Sequence, residues 1–222
     1  MSTIFIHIPK NGGTSIGSCV SLMRDIKMGH HYTDVSSLSP NTNTIIVIRN
    51  PLDRFSSAVR HTFQRYPNVP QNKICIELGI TTPNLFAEIW ANEKHEHHNA
   101  VLDVVLNNTN NHKIGNDVLQ YEWSFTPQYR WIQNPAYVIL FELLEKEYSL
   151  LFKTFGYSIR FPQKKVTKKP TQEHFSKEAL DFINSFYKKD FELYNFYKRI
   201  PINYRLNLNR NTGKKIKRRH IR

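Results

Sequence analysis

The residues that offer chemistry most directly form a short glycine-containing segment near the start of this 222-residue chain. The segment follows the apolar run 4–6 (IFI) and consists of Lys10, Asn11, Gly12, Gly13, Thr14 and Ser15. Glycines allow the backbone to approach a ligand closely, and the free N–H groups at the start of a helix bind phosphate. Because Lys10 and two hydroxyls add further donors, the segment predicts an anion-binding loop. Its lysine precedes the glycines, whereas the lysine of nucleotide triphosphatases follows them.

A second candidate segment begins where the apolar run 44–48 (TIIVI) ends at Arg49. A P-loop ATPase carries an aspartate at such a strand end to manage Mg²⁺, whereas an arginine favours metal-free binding of a phosphate by its bidentate fork. Ser57 lies in the second turn of the helix that Asn50 caps, where its hydroxyl can meet the same phosphate. The alternative is a glycine turn with a solvated lysine, together with Arg49 or Arg54 in a surface ion pair.

Strand-like and helix-like segments alternate along the chain and must position these residues. Short apolar runs predict buried parallel strands at 3–8, 44–48 and 137–141. Capping residues and apolar spacing predict helices at 14–25, after Asn50, at 83–94, at 143–155 and, as one long helix, after Ser176. Residues 26–43 are predicted as polar turns, and 95–117 as either an insertion or an irregular segment. The alternation predicts an α/β fold, a three-layer sandwich around a central, mostly parallel sheet.

Composition and charge limit the classes of function. The chain has 40% hydrophobic residues, a formal net charge of +13 and a pI of about 9.7, so it is a globular protein suited to anionic partners. We predict one domain over residues 1–204 and a basic, disordered tail over 205–222. The two cysteines, Cys19 and Cys75, form no CxxC pair, and no disulfide framework is indicated.

No stretch of the sequence has the pattern of a targeting or membrane segment. The N-terminus lacks a basic region followed by an apolar one, and no apolar run approaches the roughly 18 residues of a membrane span. We therefore predict a cytoplasmic protein.

The two segments together resemble a known family. IHIPKNGGTSI (6–16) and VIRNPLDRFSSA (47–58) are similar to the motifs of sulfotransferases that use 3′-phosphoadenosine-5′-phosphosulfate (PAPS). More narrowly, they resemble carbohydrate sulfotransferases of the glycosaminoglycan type, with Asn11 in place of the usual threonine. Weaker similarity covers FTPQYRWI (125–132), VILFELLEKEYSLLFKTFG (138–156) and FYKKDFELYNF (186–196). The resemblance implies the P-loop-like sulfotransferase fold. Because many eukaryotic members of that family are Golgi membrane proteins, it also implies that a chain without an anchor is of bacterial or viral type, with a Golgi lumenal protein as the alternative if the sequence is a trimmed form of a longer one.

The resemblance also assigns roles to residues. It implies that the 5′-phosphosulfate is held by Lys10, Asn11, Gly12, Gly13, Thr14 and Ser15, and that Lys10 neutralises the leaving phosphate. It implies that Arg49 and Ser57 hold the 3′-phosphate, with a further contact from Lys168. That chemistry requires no metal ion. The implied acceptor is a hydroxyl, on a saccharide or another compound, and an anionic glycan would suit the positive surface.

The acceptor hydroxyl needs a general base, and histidine is the natural choice near neutral pH. His30 and His31 lie between the two motifs, where related sulfotransferases carry a histidine in a Gly-His or His-x-Thr context. His31 is slightly favoured, and the alternative is that neither is catalytic. His61, four residues after Ser57, is a further candidate. The histidine-rich segment 94–103 lacks a ligand set typical of zinc, so we predict a solvated polar segment and no metal site there.

Three other functions fit parts of the sequence. A nucleotide-binding, kinase-like P-loop protein would use Mg²⁺ and ATP, but the Gly-Lys-Ser/Thr order and the strand-end aspartate are missing. A basic nucleic-acid-binding protein would bind through the tail in a salt-sensitive way, but the sequence has no recognition motif. A sulfotransferase fold that binds without catalysis is disfavoured by the intact Lys10 and Arg49. The acceptor loops, expected within 62–125, do not reveal the acceptor.

Overall fold

A four-stranded parallel sheet forms the centre of the protein in the computed structural model, which describes residues 2–31, 33–106, 113–114, 117–158 and 173–206. Its strands are β1 (Thr3–Ile6), β2 (Ile26–Met28), β3 (Asn43–Ile48) and β6 (Tyr137–Leu140), in the order β2-β1-β3-β6. Phe5 lies opposite Met28 on one side and Ile45 on the other. A separate antiparallel pair joins β4 (Lys113–Ile114) to β5 (Asp117–Val118).

Helices cover this sheet and extend beyond it. In chain order the α-helices are α1 (Gly13–Val20), α2 (Pro51–Arg65), α3 (Pro70–Glu77), α4 (Pro83–Ala91), α5 (His98–Val105), α6 (Leu144–Thr154), α7 (Lys177–Phe186), α8 (Lys188–Arg199) and α9 (Ile202–Arg205). Short 3-10 helices lie at Val35–Ser37, Gln128–Trp131 and Phe141–Leu143.

Alternate strand residues face two separate layers, as the twofold period of a β-strand requires. Phe5 points to one face, where it belongs to a buried cluster with residues of α1 and α6 such as Tyr148. Ile6 points to the other face and packs in a cluster with Trp131 and with Tyr194 of α8. The predicted α/β sandwich around a parallel sheet is therefore confirmed.

A third buried cluster joins α2, α3, α4, α5 and α7 beside the sheet. Its aromatic centre is tightly packed, with the rings of Phe86 and Phe125 stacked at 5.6 Å and Phe55 6.3 Å from both. The Tyr187 hydroxyl donates a hydrogen bond to the Phe125 carbonyl over 2.7 Å. This cluster fixes α2 on one side and the chain before Gln128 on the other, and both carry candidate site residues.

Several segments differ from the sequence prediction. The predicted turns at 26–43 contain β2, whose three residues are too few to show a period and of which only Ile26 is buried. The prediction of an irregular 95–117 is wrong for α5, which buries Val101 and Val105 behind a polar start. The short helix α3 was not predicted. Helix α1 ends at Val20 rather than near residue 25, because the chain turns there and buries Met23.

The predicted helix caps are confirmed, but the long C-terminal helix is not. The Asn50 side chain accepts a hydrogen bond from the N–H of Leu52, and Ser176 Oγ accepts one from the N–H of Ala179. The predicted helix after Ser176 breaks at Tyr187 into α7 and α8. Buried Tyr187 bonds across to the Phe125 carbonyl, so a tertiary contact overrides the helical pattern at this point.

The folded part extends through the end of α9. Arg205 and Leu206, which the sequence places at the start of the basic tail, are 3% and 6% exposed. Arg205 forms a two-pronged ion pair with Glu147 of α6, with distances of 2.6 and 2.7 Å. Residues 207–222 of the predicted tail, and Lys168, lie outside the described residues. Within the described ranges, no helix is long and apolar enough to cross a membrane.

Candidate active site

The glycine-containing segment forms a loop between the end of β1 and the start of α1. Lys10 and Gly12 both have left-handed backbones, with φ of 65° and 76°. This conformation is unusual for a lysine, and strained residues of this kind cluster at functional sites. The loop brings the first N–H groups of α1 to the carboxyl edge of the sheet, where the positive end of the helix favours an anion.

The two glycines are needed for different reasons. Gly12 has a positive φ, and a Cβ there would also lie 2.9 Å from the ring of Phe141. Gly13 has an ordinary φ, but the imidazole of His7 occupies the space that its Cβ would fill. The first glycine therefore permits the turn, and the second provides room for the His7 ring.

Asn11 and Gln128 brace the loop from below. The Asn11 amide donates to the carbonyl of Val47 over 2.7 Å and to Gln128 Oε1 over 2.9 Å. Gln128 also donates from Nε2 to the carbonyl of Arg49 over 2.9 Å. Because Asn11 and Gln128 are each 1% exposed, the Asn11 side chain faces the protein and not a ligand. Asn11 thus fixes the loop against β3. Its second partner, Gln128, was not predicted as a site residue.

Three cationic side chains converge at this edge of the sheet. Arg49 donates from NH1 to the carbonyl of Lys10 over 3.0 Å and lies 4.2 Å from the ring centre of Phe141. Burial and the neighbouring charge of Arg49 lower the pKa of Lys10 to about 8, and burial lowers the pKa of Arg49 to about 10. Both side chains are therefore charged at neutral pH, so the edge favours an anionic ligand.

Arg54 is the third cation and the most deeply buried. It is 1% exposed, which excludes the surface ion pair considered from the sequence. Its Nε donates to the carbonyl of Pro9 over 3.1 Å, and its two NH₂ groups have no hydrogen-bond partner among the described residues. Burial lowers its pKa, while Tyr187 and Asp190 have the largest effects that oppose this shift. Arg54 thus supports the loop from behind and adds positive potential to the site.

Ser57 lies on the face of α2 that points toward the loop. Arg54, three residues earlier, bonds the loop at Pro9, and His61, four residues later, lies close enough to Lys10 that its pKa is lowered by that charge. Residues three and four apart share one helix face, which places half-buried Ser57 between these two contacts. The structure thus brings the face carrying Ser57 and the loop carrying Lys10 to the same edge.

His31 lies in the site, whereas His30 is exposed. The ring of His31 is sandwiched between His7 at 4.0 Å and Trp123 at 4.4 Å. Its Nδ1 lies 2.8 Å from the carbonyl oxygen of His7, which can only accept, so Nδ1 carries the proton and Nε2 keeps its lone pair. Burial lowers the pKa of His31, and the charge of Lys10 contributes. The ring is therefore a neutral proton acceptor at neutral pH.

His7 is a residue of the site that the sequence analysis missed. It stands two residues before Pro9, inside a quoted motif, but its ring contacts appear only when β1 is placed beside residues 30–31. Burial, with smaller effects of His31 and His30, lowers the pKa of His7 to about 3. Its ring is thus neutral at every pH where the protein is expected to work.

This pKa predicts an acid-side loss of stability. A histidine whose folded pKa lies below its unfolded value of 6.5 stabilises the fold above pH 6.5 and loses that contribution as the pH falls toward about 3. Between pH 6.5 and 5 the loss is about 2 kcal/mol. We expect His7→Gln to remove this part of the pH dependence in urea unfolding measured at both pH values. An unchanged pH dependence in the variant would contradict the burial argument.

A cavity of about 190 Å³, which was not located from the sequence, opens on the side of α2 that carries His61. It lies between α2, α5 and residues 122–124, and its lining includes His61, Asp103, Glu122 and Ser124. Glu122 accepts a hydrogen bond from the Ser124 N–H over 2.7 Å. Burial raises the pKa of Glu122 to about 7, against the opposing charges of Arg54 and Lys10. Burial, with the charge of Lys10, lowers the pKa of His61 to about 4.

The histidine-rich segment has structural contacts. His97 precedes α5, and His98 Nδ1 lies 3.1 Å from the carbonyl oxygen of Ile89. In the ranges that the structure describes, no group of three or more histidine, cysteine, aspartate or glutamate side chains is arranged to hold a metal ion.

The comparisons with known proteins bear on the whole of this arrangement. The sequence model of the sulfotransferase family matches residues 2–198, which include the loop, Arg49, Ser57, both histidines of the first interval and Gln128. No curated protein sequence and no solved structure gave a match. Since the match covers most of the 222 residues, the chain belongs to the sulfotransferase family, and its parallel sheet with a glycine-containing loop after β1 is consistent with that family.

Proposed function

We propose that this protein transfers a sulfuryl group from PAPS to a hydroxyl, on a carbohydrate acceptor. Membership of the sulfotransferase family supports sulfuryl transfer in general. The observation that carries the proposal is the convergence of Lys10, Arg49 and the start of α1 at one edge of the sheet, with Arg49 bonded to the Lys10 carbonyl. This is a site for a ligand with more than one anionic group, held without a metal.

The residues present fit the anionic groups of PAPS. The loop from Lys10 to Ser15 offers N–H groups and hydroxyls for the 5′-phosphosulfate, with Gly12 leaving the approach open and Asn11 fixing the loop. Arg49 and Ser57 would hold the 3′-phosphate. The Nε of Arg49 is buried without a hydrogen-bond partner among the described residues, so this guanidinium has unused donor capacity. A contact from Lys168 is part of the proposal by resemblance alone.

The side chains divide the chemistry between them. PAPS supplies an activated sulfuryl group whose bond to the 5′-phosphate breaks as the new bond from sulfur to the acceptor oxygen forms. Lys10 neutralises the charge that collects on the departing phosphate oxygen. His31 accepts the acceptor's hydroxyl proton at Nε2, which is the nitrogen left free by the bond from Nδ1 to His7. His30, exposed and beside it, is the second candidate for that proton.

Calorimetric titration tests the donor site directly. We expect adenosine 3′,5′-bisphosphate to bind tightly without metal, and ADP with Mg²⁺ to bind much more weakly. The chain without residues 209–222 should behave like the full chain, because the described donor site lies entirely outside the tail. Preference for ADP with Mg²⁺ would support the kinase-like alternative. Loss of bisphosphate binding when residues 209–222 are deleted would support a role of the tail in nucleic-acid or polyanion binding.

The role of Arg49 predicts a ligand-specific loss of affinity. Arg49→Ala should weaken adenosine 3′,5′-bisphosphate by about tenfold to a hundredfold, because a charge-assisted hydrogen bond contributes about 1.5–3 kcal/mol. Adenosine 5′-monophosphate, which lacks the 3′-phosphate, should lose much less. The matched control is Arg65→Ala, which removes an exposed arginine from the end of α2, the helix that follows Arg49. Equal losses for both ligands would refute the 3′-phosphate assignment.

A further inference from the structure

We propose that the cavity between α2, α5 and residues 122–124 is the acceptor site, and that it selects an uncharged, hydroxyl-bearing unit about the size of one sugar ring. This inference rests on the proposed function. It departs from the expectation of an anionic glycan that the net charge of the chain suggests, because the side chains around this cavity have the opposite character from the donor site.

The cavity lies close to the proposed donor site. His61 lines it two turns along α2 from Arg54, whose Nε donates to the carbonyl of Pro9 beside Lys10. Glu122 and Ser124 also line it, on either side of Trp123 in the chain. The smaller effects of the Lys10 charge on the pKa values of His61 and Glu122 agree with this position. The neighbouring Trp123 stacks on His31 at 4.4 Å. The cavity thus adjoins both the proposed leaving-group residue and the proposed proton acceptor, which is where an attacking hydroxyl must enter.

The size of the cavity limits what enters it. Its volume of about 190 Å³ lies below the roughly 300–1,000 Å³ of pockets that enclose drug-sized ligands. Tyr66 and Val69 line it and are also 45% and 40% exposed, which leaves an apolar, accessible rim. A single ring can enter while the remainder of a longer acceptor rests on this rim.

The lining of the cavity is polar, and its charged side chains are acids. The described lining contains the carboxyl groups of Asp103 and Glu122, the neutral imidazole of His61, and side chains that donate and accept hydrogen bonds, such as Asn72 and Ser124. Among the described residues, no lysine or arginine lines it. Groups of this kind bind the hydroxyls of an uncharged ring, because each hydroxyl can both donate and accept.

Above the pKa of about 7 that burial gives Glu122, the carboxyl groups also disfavour anions. Glu122 is fixed by the hydrogen bond from the Ser124 N–H, so it cannot turn away from a bound ligand without breaking that bond. A carboxylate or sulfate on the acceptor would be placed against Glu122 and Asp103 without a described cation in the lining to compensate. Like charges brought together in a partly buried site oppose binding strongly. Glu122 is a positioning residue in this proposal: it accepts a hydrogen bond from the acceptor, and the hydroxyl proton leaves to His31.

Matched acceptor pairs test the proposal. The transfer of radiolabelled sulfate from PAPS is measured with the nitrophenyl glucoside and galactoside, and with the corresponding glucuronide and galacturonide, which differ from them by one carboxylate. We expect kcat/KM for each uncharged member to exceed that of its anionic partner by at least about tenfold. Glu122→Gln should raise KM for the uncharged acceptors more than it lowers kcat, and should reduce the discrimination against the anions. The control is Asp181→Asn, an exposed acid on α7 away from the cavity lining.

The outcomes separate this inference from the proposed function. Transfer that favours the anionic members, or discrimination unchanged in Glu122→Gln, would overturn the acceptor assignment while leaving sulfuryl transfer intact. Absence of transfer to every uncharged member, with normal calorimetric binding of adenosine 3′,5′-bisphosphate, would also overturn it. Absence of bisphosphate binding would instead remove the proposed function itself.

Discussion

Replacing Lys10 by alanine should lower kcat for sulfuryl transfer by about a hundredfold to a thousandfold while the protein stays folded. The reason is that the charge opposite Lys10 develops on the leaving phosphate oxygen during the reaction, so the lysine stabilises the transition state more than the bound donor. Binding of adenosine 3′,5′-bisphosphate should weaken much less than kcat falls. The measurement is kcat with saturating PAPS, beside calorimetric affinity for the bisphosphate.

A second substitution at the same position separates the side chain from the backbone. Lys10 has a φ of 65°, a conformation that glycine adopts without strain, so Lys10→Gly should be no less stable than the wild type. Its kcat should be as low as that of Lys10→Ala. Lys27→Ala, at an exposed residue of β2, is the matched loss of one lysine away from the loop. Near-normal turnover in Lys10→Gly would remove Lys10 from the reaction.

The largest effect on stability is expected from the buried pair between Arg205 and Glu147. Arg205→Met should lower the free energy of unfolding by about 3–5 kcal/mol, because it leaves an unpaired carboxylate in the core. Glu147 also accepts a hydrogen bond from the Leu140 N–H over 2.9 Å, so the pair anchors the end of β6 as well as α9. Urea unfolding of the full chain measures the loss.

Two variants serve as controls for this pair. Arg199→Met removes an exposed arginine from the end of α8 and should change the free energy of unfolding by less than about 0.5 kcal/mol. The double variant Glu147→Leu with Arg205→Met removes both charges and should recover part of the loss. If Arg205→Met were as stable as Arg199→Met, α9 would not belong to the folded domain.

The elements that have a clear local sequence pattern could be predicted from the sequence. Strand β3 is a continuous apolar run, and the start of α2 is marked by a cap and a proline, so both follow from local patterns. Elements that depend on their partners could not be predicted. The strand β2 has three residues and needs β1 beside it, and the break at Tyr187 depends on the Phe125 carbonyl.

The same distinction applies to the site. Lys10 and Arg49 stand in spaced motifs that indicate anion binding by residue type alone. Their supporting residues come from distant parts of the chain: Gln128 reaches Arg49 across 79 positions, and Trp131 donates to the His31 carbonyl across 100. Glu122 could not be recognised as a site residue from the sequence around it, because an acid before a tryptophan is ordinary. Its burial and the influence of the Lys10 charge on its pKa appear only in the fold. The charges proposed to face the ligand could be named from the sequence, whereas the groups that hold and shape the site required the fold.

The overall charge is likewise a poor guide to the proposed acceptor. The net charge of +13 counts the whole chain, including the 16 residues beyond Leu206 that the structure does not describe. The cavity proposed for the acceptor is lined instead by two acids and a neutral histidine. Charge averaged over a sequence informs on association with anions in general, and not on the lining of one pocket.

The position of the His7 ring over Gly13 makes these two residues a single choice for protein engineering. Because Gly13 has an ordinary φ, its backbone would accept alanine, but the three nearest atoms that a Cβ would meet all belong to the imidazole of His7. A library that varies residue 13 while keeping His7 would therefore yield inactive loops and suggest a rigid requirement for glycine. Varying both together would reveal a different rule, in which a larger residue 13 requires a smaller residue 7. Such an exchange removes the His7 ring, which packs against His31 at 4.0 Å.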